Sequence, residues 1–470
     1  MYRLLLLACV SLTGGLFGQS PISMQASARK TRTVVGEGIL VDLRLSLSTD
    51  LDMETVELNR DRTTVQIRRE DAPGDTRILS GKDYIALHHV QPLGQIGRSF
   101  HGKAGASWKS ELNLFSYTYP LAAGRYRVLV SYRYGSEPSS VAQANEVEIE
   151  VAPAKLLYAE FRWFGGATAR EELGALWSAE DAGHTRWFYQ VSDAADPAAV
   201  RSAVELAGPV PESAPRMAQL NDIVDNHFVR FAVWLVTGRV CWQKIADTGA
   251  GGRPNCADVG LQPGGALHLA DPPLQTRDDG LSAVVVGGDK LSVVRIGANG
   301  QAEHRLVPTG GATAGEAVVV WGQSEQPPQG TVYGAVGDQV WKVDLVSGRR
   351  DILWHSPNQV TLMADQWLGQ GKVYAASRVG DTVEFRTGAP AAAPPVNISF
   401  PRTWKLVGAT SLAAGQGLAL TAATPDGWAI VTSRSRWMGT SGIPHVIAAP
   451  KGLFLLQYDS LHGFSVIRRQ

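Results

Sequence analysis

A two-residue turn between paired short apolar runs recurs along the last two thirds of the chain. The clearest copy is VYGAVGDQVWKVDLVSG, residues 332–348, in which Gly337-Asp338 separates the two runs. Glycine and aspartate tolerate the positive φ angles of a tight hairpin turn, so each copy predicts two antiparallel strands. Five further copies have their turns at Thr237-Gly238, Gly288-Asp289, Gly380-Asp381, Asp426-Gly427 and His462-Gly463. A unit repeated in this way buries its apolar faces by stacking on its neighbours.

The spacing of these turns predicts the architecture. The second turn residues lie at positions 238, 289, 338, 381, 427 and 463, so successive steps run from 36 to 51 residues. A looser hairpin around residue 194 extends the series backward. Periods of about 40–45 residues built from short strands indicate a β-propeller. Residues 155–470 number 316, a length that accommodates seven such units, so we predict a seven-bladed β-propeller over 155–470.

Apolar runs that precede four of the hairpins are suited to be inner strands of the blades. They are EAVVVWG (316–322), VTLMADQW (360–367), WKLVGA (404–409) and HVIAA (445–449). The last blade has room for only three strands between His445 and Gln470. We therefore predict that LLYAEFRW, residues 156–163, pairs with residues 463–469, because closing the ring removes an exposed sheet edge.

Residues 24–152 show strict alternation of apolar and polar side chains, which predicts half-buried strands. The pattern is clearest in VDLRLSLS (41–48), RYRVLVSYRY (125–134) and VEIEV (147–151). Several such strands with polar turns predict an antiparallel β-sandwich. YPLAAGRYRVLVSYRY, residues 119–134, resembles the penultimate strand region of immunoglobulin-like domains, which implies an immunoglobulin-like β-sandwich over 24–152. The stretch APAK, residues 152–155, reads as the linker to the propeller.

The blade pattern resembles secreted bacterial β-propeller proteins with WD-repeat-like or quinoprotein-like blades. In these proteins a Gly-Asp hairpin is followed by a hydrophobic strand and a Ser-Gly or Asn-Gly turn. The matching residues here are Gly337, Asp338, Val340, Trp341, Ser347 and Gly348, with Gly288, Asp289, Leu291, Asn299 and Gly300 in the preceding copy. The resemblance implies the fold and leaves the activity open.

The N-terminal residues 1–20 have the order of a secretory signal peptide. Arg3 precedes an apolar stretch from Leu4 to about Leu12, and small residues follow, with cleavage expected near Gly18. The alternative is a lipoprotein signal ending at Cys9, although eight residues before the cysteine are short for export. No segment is apolar over the roughly 20 residues that a transmembrane helix needs. The predicted location is periplasmic or secreted.

Signal removal would leave two cysteines, Cys241 and Cys256, in an oxidising compartment. An isolated pair 15 positions apart predicts a structural disulfide that closes a Gly-rich loop, and the alternative is two unpaired thiols. A metal site is not expected because no Cys-x-x-Cys or His-x-x-x-His pattern lies nearby.

Charge and motifs exclude several classes of function. The 44 basic and 44 acidic side chains balance and form no runs, which argues against nucleic acid as a partner. No phosphate loop, dinucleotide fingerprint or metalloprotease motif occurs, so no cofactor, metal ligand or catalytic residue is predicted.

Weak candidate motifs also read more simply as turns or solvated loops. SAEDAGHTRW (178–187) approaches the Asp-box of sialidase-type propellers, and DTGA (247–250) matches the aspartic protease tripeptide. His88-His89 and the acidic group Asp50, Asp52 and Glu54 are the remaining metal candidates, and both lack the spacing that chelation requires.

Twelve of the thirteen tryptophans follow residue 155. We assign most of them to packing between blades, and a carbohydrate-binding surface is the alternative. The sequence thus predicts an exported, non-catalytic binding protein whose propeller face or channel engages a protein or a glycan. The competing hypothesis is a propeller enzyme acting on saccharides. Charged side chains with perturbed pKa values at the channel would favour the enzyme, and an exposed apolar or aromatic patch would favour the binder.

Overall fold

A computed structural model defines the fold of the chain. It describes residues 20–54, 62–72, 74, 76–80, 99–114, 122–135, 137, 139–164, 170–194, 200–208, 211, 215–220, 230–245, 252–261, 267–311, 317–322, 329–336, 338–356, 358, 360–365, 372–387, 396–412, 418–440, 442–449, 452–459 and 463–469. The described part is all-β and contains no α-helix. The predicted signal peptide, Cys9, the pair His88-His89 and the DTGA stretch lie outside it. No helix there has the length and apolarity needed to cross a membrane.

Contacts divide the chain into two compact units. The first comprises Met1–Thr33, Ile39–Tyr117 and Gly124–Val151, and the second comprises Val34–Gly38, Thr118–Ala123 and Ala152–Gln470.

The strands up to residue 152 form three sheets among the described residues. They are β1 Ile22–Ala28, β2 Arg32–Val34, β3 Leu40–Leu47, β4 Leu51–Glu54, β5 Thr63–Arg69, β6 Thr76–Ser80, β7 Ser99–Gly102, β8 Ser107–Asn113, β9 Gly124–Arg133, β10 Val141–Gln143 and β11 Val147–Ala152. The sheet orders are β1-β3-β8, β2-β11-β9-β5-β6 with β10 on β9, and β4-β7.

The alternation of apolar residues in these strands matches their burial. Val41, Leu43, Leu45 and Leu47 on β3 are all buried, and so are Val147, Ile149 and Val151 on β11. Each strand therefore turns one side chain in two toward a common apolar core, as a period of two requires.

The remaining strands form seven sheets among the described residues. The first sheet contains β12 Lys155–Phe164, β13 Arg170–Asp181, β14 His184–Asp193 and β15 Val200–Leu206, and the second contains β16 Arg216–Met217, β18 Arg230–Val236, β19 Arg239–Ile245 and β20 Asn255–Asp258. The third sheet contains β17 Gln219–Leu220, β21 His268–Leu269, β22 Leu274–Gln275, β23 Leu281–Gly287, β24 Lys290–Ile296 and β25 Ala302–Pro308. The fourth sheet contains β26 Ala317–Trp321, β27 Gly330–Val336, β28 Gln339–Asp344 and β29 Arg350–His355.

The last three sheets are built in the same way. They contain β30 Val360–Asp365, β31 Lys372–Val379, β32 Thr382–Thr387 and β33 Val396–Ser399; β34 Lys405–Ser411, β35 Leu418–Thr424, β36 Gly427–Val431 and β37 Arg436–Gly439; and β38 His445–Ala449, β39 Gly452–Asp459 and β40 Gly463–Arg469. The four predicted inner strands correspond to β26, β30, β34 and β38. This series of short antiparallel sheets is propeller-like.

The recurrent turn joins two consecutive antiparallel strands of a sheet, namely β18 and β19, β23 and β24, and β31 and β32. Thr237-Gly238, Gly288-Asp289 and Gly380-Asp381 lie at this position, as predicted, and the glycine in each has a positive φ angle. The predicted turns at Asp426-Gly427 and His462-Gly463 are displaced. Gly427 pairs with Thr424 and Gly463 pairs with Asp459, so both glycines already belong to strands. In the first sheet the tight turn is Ala182-Gly183 rather than the looser hairpin near residue 194.

Apolar clusters lie between neighbouring sheets and hold them together. One cluster joins Trp234 of the second sheet to Tyr189 of the first, and another joins Trp341 of the fourth sheet to Leu291 of the third. Comparable clusters occur between sheets two and three, four and five, five and six, and six and seven. The core of this part of the chain is therefore a series of interfaces between sheets.

The predicted closure of the ring by strand pairing is wrong. Residues 156–163 form β12, the first strand of the first sheet, and pair with β13, whereas β40 pairs with β39. Side chains make the closure instead. The Nε2 of His445 lies 3.1 Å from the carbonyl oxygen of Leu156, to which it donates, and the Phe161 and Phe454 rings stack with centroids 5.9 Å apart. Burial lowers the pKa of His445, which favours the neutral ring.

Cys241 and Cys256 are directly paired residues on β19 and β20, and they form a disulfide. Cys241 is fully buried in the cluster between the first and second sheets. The bridge ties the outermost strand of the second sheet to a core strand.

We expect the Cys241→Ala/Cys256→Ala variant to unfold with a free energy about 3 kcal/mol lower than the parent, the loss calculated for a loop of this length. Urea titration followed by tryptophan fluorescence measures the difference. A reductant should destabilise the parent and leave the double variant unchanged. Equal stability of parent and variant would contradict a stabilising role for the bridge.

Gly334 leaves space for a core tryptophan in the fourth sheet. It pairs directly with Trp341, and a Cβ atom at Gly334 would lie 2.0 Å from the indole ring. We expect Gly334→Ala to lower the free energy of unfolding by about 1–3 kcal/mol through overpacking. Gly408→Ala is the matched control, because nothing lies within 4 Å of its Cβ position, and a change within about 0.5 kcal/mol is expected. Denaturant titration of both variants checks the contrast.

Candidate functional site

Polar side chains from three successive sheets meet along the first strands of the propeller-like part. The inner-strand cluster consists of Tyr158 and Glu160 on β12, Tyr189 on β14, Arg216 on β16, and Asp271 before β22. In a propeller-like series of sheets, the first strand of each sheet lines the interior. The first strands β26, β30, β34, β38 and β12 contact one another in this order. Residues more than 110 positions apart in the sequence are brought together here.

Glu160 is a buried carboxyl group of the inner-strand cluster, with 4% of its surface exposed. The hydroxyl of Tyr189 donates to its Oε1 at 2.6 Å, and that of Tyr158 donates to its Oε2 at 3.3 Å. Gly174 pairs with Glu160 across the strands, and a Cβ there would lie 2.2 Å from the Tyr189 hydroxyl. The glycine thus allows the short hydrogen bond, which is of the strong, charge-assisted kind.

Asp271 has a different environment from Glu160. Its Oδ2 lies 3.7 Å from a guanidinium nitrogen of Arg216, whereas its Oδ1 is buried and has no hydrogen-bond donor among the described residues. Burial raises the pKa of Asp271; the positive charge of Arg216 opposes this shift, and the negative charge of Glu160 adds to it. A buried acceptor without a donor is costly, so a ligand that brings a donor would be stabilised there.

The backbone of Asp271 is held by two sheets at once. It forms a parallel bridge to Val318 of β26, in which its N–H donates to the Ala317 carbonyl and its carbonyl accepts from the N–H of Val319. The Arg216 guanidinium lies 6.0 Å from the centre of the Tyr158 ring, within the range of a cation–π contact. Four members of the cluster lie on strands, and the bridge to Val318 fixes Asp271, which lies between β21 and β22.

A buried ion pair stands beside this cluster. Arg230 on β18 binds Glu172 on β13, and both side chains are about 1% exposed. Because the pair neutralises itself and links the first two sheets, it serves packing geometry and adds no net charge to the inner-strand cluster.

Other first strands also carry partly exposed apolar residues. Val320 on β26, Val407 on β34 and Val446 on β38 are such residues, and Val407 is 51% exposed. The first strands thus offer hydroxyl, carboxyl and guanidinium groups on sheets one to three and aliphatic surface on sheets four, six and seven.

The sequence-derived candidates lie elsewhere and are structural. Asp181, from the Asp-box-like stretch, flanks the Ala182-Gly183 turn and binds Arg186 at 3.0 Å. Asp50 and Asp52 both face His101, with Asp52 2.8 Å from its Nδ1. Asp338 binds Nδ1 of His355 at 3.1 Å. In the described residues, no group of three or more His, Cys, Asp and Glu side chains is arranged to hold a metal ion.

Sequence reasoning missed Glu160 and Asp271. The available signal was an acidic residue inside an apolar strand, LLYAEFRW, and an aspartate before a proline at the start of a sheet. A buried carboxyl group requires a specific partner, so an isolated acid in such a run is informative.

The chain matches no protein-family model and no curated protein. Similar solved structures include an auxiliary nutrient binding protein from Bacteroides thetaiotaomicron, with 9% identity and a TM-score of 0.28 over 92% of this chain and 94% of that one. A quinonprotein alcohol dehydrogenase-like protein from the same organism has 8% identity and a TM-score of 0.27 over 79% and 94% of the two chains.

The sialidase from Streptococcus pneumoniae has 8% identity and a TM-score of 0.27 over 82% of this chain and 80% of its own. Identities below 10% and TM-scores below 0.5 transfer no function to this chain. The chain thus has a generic resemblance to propeller proteins and no specific family.

The raised pKa of Asp271 makes its contribution to stability dependent on pH. A carboxyl group whose folded-state pKa is raised stabilises the fold below its unfolded pKa, and this contribution is lost as pH rises through the folded value. We expect Asp271→Asn, which stays neutral, to gain stability relative to the parent as pH rises from about 3 to 7. Melting temperatures of both proteins across this range give the measurement. A constant difference would show that Asp271 has no shifted titration.

Proposed function

We propose that this chain is an exported saccharide-binding protein. It would consist of a signal peptide over residues 1–20, an immunoglobulin-like β-sandwich over 24–152 and a seven-bladed β-propeller over 155–470. The inner-strand cluster is its binding site. Seven sheets among the described residues and the side-chain closure between β12 and β38 support the propeller assignment.

One observation carries the choice of ligand. Tyr158, Glu160, Arg216 and Asp271 present donors and acceptors on neighbouring first strands, and Asp271 has a buried oxygen without a donor. Ligand sites combine apolar walls with a few placed polar groups. A saccharide supplies hydroxyl donors to the carboxyl oxygens, and its C–H groups suit the aliphatic side chains on other first strands.

The second candidate is a saccharide-cleaving enzyme, favoured by the unlike carboxyl groups. Glu160 receives two hydroxyl donors, while burial raises the pKa of Asp271. A carboxyl group with a raised pKa beside a second carboxyl group is the usual arrangement of the general acid in glycosidases. In this reading Asp271 would be the acid and Glu160 the base or nucleophile.

A glycan array probed with the full chain, followed by calorimetry on each hit, tests the proposal. We expect Glu160→Gln and Asp271→Asn each to weaken binding by about 10- to 100-fold, since a hydrogen bond to a charged group contributes about 1.5–3 kcal/mol. Glu303→Gln, on the exposed face of β25, is the matched control and should bind like the parent.

The same hits, incubated with the parent protein and assayed for new reducing ends, separate the two functions. Unchanged glycans together with specific binding support the binding protein. Release of reducing ends that Asp271→Asn abolishes supports the enzyme. Absence of any hit on the array, or equal binding by all variants, overturns the assignment of the inner-strand cluster.

A further inference from the structure

A second cleft lies between the fourth and fifth sheets, away from the inner-strand cluster on sheets one to three. It contains about 320 Å³ of space, part of which is open to solvent, and its lining includes Trp354, His355, Ser356, Ser377 and Glu384.

A β-bulge directs Trp354 toward this cleft. Val340 pairs with Trp354 and Trp341 pairs with Ile352, so Leu353 is the extra residue on β29. Leu353 and Trp354 both pack against the apolar cluster shared by sheets four and five, which neighbouring residues on a regular strand cannot do. Bulges re-aim side chains in this way and are frequent beside functional sites. The Trp354 side chain remains partly exposed.

The opposite wall of the cleft carries polar groups beside the apolar residues Val360 and Ala375. Ser377 on β31 and Glu384 on β32 are directly paired, so their side chains project from the same face of the fifth sheet. On the near side, Ser356 is 4% exposed and donates to the Asn358 carbonyl, while Asp338 holds the ring of His355. The cleft thus combines one indole with a carboxylate, hydroxyl groups and an imidazole.

We propose that this cleft binds one pyranose ring of a neutral saccharide. A pyranose presents an apolar C–H face and an edge of hydroxyl groups. Trp354 matches the face, and Glu384 and Ser377 match the edge as acceptor and donor. An organic cation is disfavoured because the lining contains a single tryptophan, whereas cation recognition relies on enclosure by several aromatic rings. The inference extends the saccharide-binding function to a second, separate site.

Saturation-transfer NMR with the full chain and the methyl pyranosides of glucose, galactose and mannose tests this site directly. We expect saturation at the C–H groups of at least one pyranoside, and a dissociation constant at least tenfold weaker in Glu384→Gln. In the Glu160→Gln background, in which the inner-strand cluster is weakened, Trp354→Leu should abolish the remaining transfer. Trp437→Leu is the matched control, because Trp437 also lies on the fourth strand of its sheet, and it should bind like the parent.

Failure of this inference is distinguishable from failure of the proposed function. Glu160→Gln should leave pyranoside binding at the cleft unchanged, and Glu384→Gln should leave binding at the inner-strand cluster unchanged. Circular dichroism verifies that Trp354→Leu is folded, and the surface change Glu384→Gln carries the test if it is not. Transfer to tetramethylammonium in place of the pyranosides, or equal binding by Glu384→Gln and the parent, overturns the inference.

Discussion

Face-to-face packing between short sheets is the interaction on which this part of the chain depends. A sheet of three or four short strands cannot bury both faces by itself, and each sheet here shares an apolar cluster with the next. Removing one interface would expose two sheets to water. The final contact, between the first and seventh sheets, therefore matters as much as the others, and it is made by His445, Leu156, Phe161 and Phe454.

Because side chains make the contact between the first and seventh sheets, the backbone of β12 pairs within the first sheet. The strand begins at Lys155, accepts the His445 hydrogen bond at Leu156 and then carries Tyr158 and Glu160. One strand thus contributes both to the closing interface and to the inner-strand cluster. An irregularity in the pairing of β12 lies between Leu156, which accepts the His445 hydrogen bond, and Tyr158 of the cluster.

Interfaces between sheets also create the two candidate binding sites. The inner-strand cluster forms where the first strands approach one another, and the second cleft forms where β29 stands against β31 and β32. In both places a local feature assists: Gly174 gives room to Tyr189, and the bulge at Leu353 turns Trp354. Gly174 is regularly paired and acts by lacking a side chain, whereas the bulge departs from regular β-structure next to polar side chains.

The amino-acid sequence by itself determined many of the strands and three of the tight turns, because these depend on local properties. Alternation predicted the buried residues of β3 and β11, and Gly-Asp and Thr-Gly pairs marked tight turns where glycine adopts a positive φ angle. The first hairpin was misplaced because Ala182-Gly183 lies in a stretch read as another motif. The inner strands were found because a run of apolar residues before each hairpin has no other place to be buried.

Only the tertiary structure decided how the ends meet and which polar residues converge. The closure was predicted wrongly because strand pairing and side-chain packing both remove exposed apolar surface, and the sequence does not distinguish them. Glu160, Arg216 and Asp271 lie far apart along the chain, and nothing local to any of them indicates the others. Their proximity is set by the relative positions of separate sheets. This is a long-range property, because it depends on every interface between the sheets.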